Sequence, residues 1–188
     1  MIMAENIVTA LEEKLGLPHF EKIDPNSPQG KRELLVNPTT NHYTQAAVIA
    51  VLVGIYKYGS STEGAADLLT PGIENNLFEK LFGENEKELV KAVSYYGDKN
   101  YDSTHLLMQV IAKEAIEIIR KAVGGDPTPQ KIVSYLAGQR HHILVHLPPD
   151  LKLGKLINDN SIDDTTNKME GPVSGLVHFF ENLFAEKS

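Results

Sequence analysis

The stretch from Gly138 to Asp150, GQRHHILVHLPPD, places His141, His142 and His146 within six residues of a chain that has seven histidines in all. His142 and His146 stand four apart, a spacing that puts two imidazoles on one helical face, where each could offer a ring nitrogen to a single metal ion. A hydrolytic centre of the H-E-x-x-H kind also needs a glutamate as general base, and the residues between these two are Ile143, Leu144 and Val145. Pro148 disfavours helical geometry at Leu147, so the pattern predicts a helix ending there with His146 in its last turn. A histidine in that place can bond terminal carbonyls and, when charged, complement the negative end of the helix dipole. The spacing therefore reads as surface or capping histidines.

Other residues of the right type are less well arranged. Ser103 and His105 follow Asp102 closely, but acidic and hydroxyl side chains at a helix start usually cap it, and nothing nearby supplies an oxyanion hole. Gly124-Gly125 lacks the Lys-Ser or Lys-Thr that would complete a phosphate loop. The carboxylates of Asp163 and Asp164 fall in a polar stretch and read as solvated. With no cysteine in the chain, disulfides, thiolate metal sites and cysteine nucleophiles are all excluded. No residue is assigned a catalytic, cofactor-binding or metal-ligating role, and no cofactor is implied.

What must position these side chains is an ordinary globular chain. Its 188 residues, 41% hydrophobic and 23% charged, suffice for one sizeable core, and the formal charge of -7 repels phosphate backbones, so nucleic acid is not expected as a partner. The first residues show no basic-then-apolar leader. The longest apolar run, Ala46 to Val53, is far short of the roughly 20 residues of a membrane span. A soluble, cytoplasmic protein is expected, compatible with the missing cysteines.

Periodicity predicts an all-α class, a compact multi-helix bundle. Glu5 to Leu15 reads as an amphipathic helix ended by Gly16, and Leu17 to Thr40, with four prolines, as an irregular connector that wraps rather than packs. Tyr43 to Tyr58 is apolar almost all round and reads as the central buried helix. Shorter helices are expected over Thr62 to Leu69, Glu74 to Leu81 and Glu84 to Tyr96. A long one follows over His105 to Val123, capped by Asp102 or Ser103, with Gln109, Lys113, Glu114, Glu117, Arg120 and Lys121 as its polar face. Thr128 and Pro129 begin another. The order of elements hints at two pseudo-repeated helical units. Residues 1–157 form the helical domain, 158–171 a polar linker and 172–188 a C-terminal amphipathic helix.

That last helix carries Val173, Leu176, Val177, Phe180, Leu183 and Phe184 on one stripe, and such a stripe must bury itself against its own bundle, a second copy or another protein. Its charged residues, Glu181, Glu186 and Lys187, do not make the basic face that anionic membranes select.

Several segments, in order, resemble a known family: Ala47 to Gly59 followed by Ser60-Ser61-Thr62-Glu63-Gly64-Ala65-Ala66-Asp67-Leu68-Leu69, then Tyr96-Gly97 with Asp102-Ser103 before a long apolar helix. The match continues through Tyr135-Leu136-Ala137-Gly138-Gln139 and Leu147-Pro148-Pro149-Asp150-Leu151. Together they look like the bacterial domain of unknown function numbered nine-three-seven, over roughly Gln45 to Leu156. The resemblance implies an all-helical fold and no reaction. Some relatives are joined to an OmpA-like domain, which implies a link to the cell envelope whose parts are not found in these residues. The chain departs from the family pattern at Asp150, where glycine is usual, and at His141, His142 and His146, which counts further against a metal.

The sequence thus points to a non-enzymatic helical module for self-association or partner binding through the C-terminal stripe. The rival expectation is a small-molecule or metal-binding helical protein, an enzyme among the options, using the His141, His142 and His146 region.

Overall fold

The central element is α2, Thr40–Gly59, in which every residue from Tyr43 to Tyr56 is buried. A helix apolar all round has no solvent face to offer, so it must be covered on every side. The computed structural model, which describes residues 5–23 and 40–148 together with Leu151 and Leu153, shows how this is done. Before α2 comes α1, Ile7–Leu15. After it come α3, Thr62–Leu69, α4, Leu77–Phe82, α5, Glu86–Tyr96, α6, Tyr101–Val123, and α7, Pro129–Leu144. Two 3-10 turns, Ile73–Asn75 and Gly83–Asn85, lead into α4 and α5. Helices α3 to α7 all pack against α2, while α1 lies across α6 and α7. Among the described residues there is no strand, and the fold is an all-α bundle.

Boundaries follow local chemistry. Asn6 caps α1 by accepting from the Val8 N–H at 3.0 Å, and Gly16 ends it in the left-handed region at φ +62°. Ser61 caps α3 through the Gly64 N–H. Thr128 caps α7, with Pro129 at the first helical position. The cap of α6 is Asn100, whose side chain accepts from the Asp102 and Ser103 N–H groups, so the expected cap at Asp102 or Ser103 is displaced by one turn and the helix begins at Tyr101. The single helix expected over Glu74 to Leu81 is instead a 3-10 turn and the short α4, broken at Asn76, which serves as the cap of both.

Of the connector after α1, residues 17–23 are described, and they do pack. Phe20 is buried, and its backbone N–H donates to Glu12 Oε1 at 2.7 Å. The expectation that this stretch only wraps is corrected by an apolar side chain whose polar neighbours all find partners. The remainder of the connector, the linker 158–171 and the C-terminal helix 172–188 lie outside the described residues. Leu151 and Leu153 are both buried against the bundle.

Long-range polar bonds tie the shell together. Gln139 is buried on α7, where Oε1 accepts the Ile7 N–H at 2.9 Å and Nε2 donates to the Glu5 carbonyl at 3.1 Å, so a residue 132 positions away holds the start of α1. Arg120 of α6 donates to the Leu68 and Thr70 carbonyls at the end of α3. These bonds satisfy terminal groups that helices leave open.

Candidate functional site

The histidine cluster does not assemble as the spacing suggested. Helix α7 closes at Leu144, and the chain continues in tighter i to i+3 turns, with the His146 N–H on the Ile143 carbonyl and the Leu147 N–H on that of Leu144. A tighter turn advances each residue further round the axis, so His146 leaves the face it would have shared with His142. It is neither a last-turn residue nor a surface one, as expected from Pro148, but 4% exposed. Its Nδ1 bonds the Glu21 carbonyl at 2.9 Å, and its ring lies edge-on to Phe20 with centroids 6.5 Å apart.

Gln45 completes this latch. Its Oε1 accepts the Glu21 N–H, and its Nε2 donates to the carbonyls of Glu21 and His146 at 2.8 and 3.0 Å. The Ile23 N–H adds a bond to the Val145 carbonyl. His146 therefore fastens residues 20–23 to the end of α7. His141 is exposed, and its ring meets that of His142 at 6.2 Å. Burial, followed by the neighbouring His141, His146 and Lys22, holds the His142 imidazole below its usual pKa. Among the described residues no three histidine, aspartate or glutamate side chains are grouped to hold a metal ion.

The other candidates also separate. Ser103 Oγ donates to the Asn100 carbonyl at 2.9 Å and belongs to the cap. His105 points elsewhere, between the rings of Phe78 and Tyr101, with Nε2 2.8 Å from Glu86 Oε1. Gly124 is the left-handed end of α6 at φ +81°, a turn residue and no phosphate cradle. Asp163 and Asp164 lie outside the described residues, as do Val173, Leu176, Phe180, Leu183 and Phe184.

What the structure does bring together is a groove between α4, α5 and α6, with a volume of about 780 Å³. Phe78 and Ala112 form its buried floor, and Val110, 42% exposed, stands in its wall. Leu106, one turn before Val110 on α6, is 62% exposed, and Tyr95 near the end of α5 is 91% exposed. These three are the large exposed hydrophobic residues of the described part. No family model, curated protein or solved structure matches the chain.

The lining of the groove is acidic on balance, with four glutamates against Lys87 and Lys113. Glu74 lies 3.6 Å from Arg120 and Glu86 sits against His105, while Glu79, Glu84, Lys87 and Lys113 are further lining residues. Sequence reading missed the groove because Leu106 and Val110 look like part of the wide apolar face of α6. Their signal was register: Leu106, Val110, Lys113 and Glu117 follow one another at spacings of three and four, which places both hydrophobes in line with the polar stripe.

Proposed function

We propose that the chain is a non-enzymatic helical interaction module whose contact surface is the groove between α4, α5 and α6, and that its partner is an amphipathic helix. The observation that carries this reading is the pair Leu106 and Val110, one turn apart on α6 and exposed beside a groove floored by Phe78; Tyr95 is the other large exposed hydrophobe among the described residues. Exposed apolar surface next to a concave wall is what helix-in-groove recognition uses. The buried Gln45, Gln139, Thr104 and His146 all have intramolecular partners and so are committed to holding the fold.

A test needs an amphipathic sequence of known composition, and residues 170–188 supply one. A fluorescein-labelled peptide of that sequence is titrated into the full-length Phe180→Asp/Phe184→Asp chain, which keeps its own stripe from competing. The peptide is expected to bind, and adding Leu106→Glu/Val110→Glu to weaken it by about tenfold or more, equivalent to ~1.4 kcal/mol. Fluorescence anisotropy reads the affinity. Equal affinity with and without the α6 changes would remove the groove from consideration.

Two coarser features fit the same proposal. No helix among the described residues is long and apolar enough to cross a membrane, and the cysteine-free composition supports a cytoplasmic setting. Membership of the bacterial family named above is likewise proposed. It is supported by the buried Gln139 within its Leu-x-x-Gln stretch and by Gly64, where the Thr-Glu-Gly-Ala stretch approaches the end of α2.

A further inference from the structure

We propose that residues 21–23 form an acid-released strap. As pH falls from about 7.5 to about 5.5, the histidines at the end of α7 take up protons and the strap parts from that helix, while the residues before it stay on α1. This rests on the bonds around His146 and is independent of the groove.

Histidine is the side chain that changes charge between about pH 5 and 8, and five of the seven in this chain, His19, His42, His141, His142 and His146, meet at this joint. His146 holds the strap as a donor. The Glu21 carbonyl can only accept, so the 2.9 Å bond places the proton on Nδ1, and a second proton must go to Nε2. That charge would sit on a ring 4% exposed and packed against Phe20. Its neighbours on α7 are His141 and His142, with rings 6.2 Å apart, and Lys22 stands on the strap itself. Burial, and then His141, His146 and Lys22, already oppose the charging of His142. In acid all of these are cations, so each proton added raises the cost of keeping Lys22 in place. Release carries Lys22 away and opens His146 to water. The released form therefore binds more protons, and the strap is held above the titration range and lost as pH falls through it.

Two carboxylates face the joint and act differently. Glu12 on α1 accepts from the Phe20 N–H at 2.7 Å and lies 2.8 Å from His19 Nδ1, so a charged His19 tightens that end. Glu21 lies 3.8 Å from His42 Nε2 on α2, but its side chain is 72% exposed and water screens the pair. Arg140, earlier on α7, stands by Tyr56. The strap is thus released at one end and gripped at the other, and it swings while the bundle stays folded.

Two amides of the full-length chain report the strap directly, because the Glu21 N–H donates to Gln45 Oε1 and the Ile23 N–H to the Val145 carbonyl. Hydrogen exchange is followed at single amides by NMR at the two pH values and corrected for the intrinsic pH dependence of exchange. One extra proton on the released form changes its population by about tenfold per pH unit, so protection at these two amides is expected to fall by about tenfold or more. The Phe20 amide, held by Glu12, and the amides of α2 are expected to keep theirs. His146→Asn puts a non-titrating amide nitrogen in place of Nδ1 and is expected to hold the strap at both pH values. His142→Asn/Lys22→Gln removes the repulsion without touching any strap bond, and it is expected to reduce the fall.

Equal protection at the two pH values would overturn the proposal. So would a loss shared by Phe20 and α2, which would mean general acid unfolding, and so would a fall that both variants leave unchanged. If His146→Asn frees the strap at both pH values, the second variant decides: an undiminished fall there overturns the proposal, and a reduced one supports it.

Discussion

Gly64 and Gly138 both sit inside helices, yet the structure assigns them opposite sensitivities. A Cβ at Gly64 would collide with the backbone carbonyl of Tyr58, so Gly64→Ala must push α3 away from α2. We expect a loss of about 1–3 kcal/mol by denaturant unfolding, the range of an overpacked contact. A Cβ at Gly138 meets nothing within 4 Å, so Gly138→Ala should gain about 0.5–1 kcal/mol through helix propensity and a less flexible unfolded chain. Reversal of either sign would contradict the close approach of α3 to α2 or the open surface at Gly138. His142 makes a prediction of a different kind. Its folded pKa lies below the ordinary 6.5, so the unfolded chain takes up the proton more readily. The corresponding stability is present above 6.5 and is lost as pH falls through that value towards the depressed one. His142→Asn should flatten this part of the Tm-against-pH curve, and an unchanged slope would remove His142 as its source.

At the level of the elements, the most informative joint is Gln139 with α1. Gln139→Ala leaves the buried Ile7 N–H without its acceptor and the Glu5 carbonyl without one of its donors, at a cost of about 1–3 kcal/mol. Hydrogen exchange should quicken in α1 far more than in α2, while uniform quickening would mean that α1 is not a separable part of the fold. The sequence made most helices visible because their signals are local: the all-apolar run of α2, Ser61 before α3, and Thr128 with Pro129 before α7. Asn100 was passed over as the α6 cap because Asp102 and Ser103, two and three residues on, are equally good capping types. His146 was misplaced because its partners, Glu21 and Gln45, are far away in sequence, and only the folded chain shows the cavity they leave for it. The groove was illegible for the same reason, since its wall is shared by three helices and its floor by Phe78 and Ala112. Only the register of Leu106 and Val110 on α6 hinted at it.

For the whole molecule, the exposed pair Leu106 and Val110 sets the expectation for self-association: any concentration-dependent association of the full-length chain by sedimentation velocity should weaken with Leu106→Glu/Val110→Glu. Equal association with and without the two changes would argue that Leu106 and Val110 are not a contact surface between copies. The bonds that secure the first helix have a consequence of timing as well. The acceptor for the Ile7 N–H is Gln139, and residues 20–23 are fastened by Gln45 and His146, so α1 and the segment after it are completed by groups made 132 and 125 residues later. During translation α1 leaves the ribosome before Gln139 and His146 are synthesised, and it must wait in an unfinished state. Nascent chains arrested before residue 139 emerges should be cut by protease within α1, whereas those arrested after residue 153 emerges should resist.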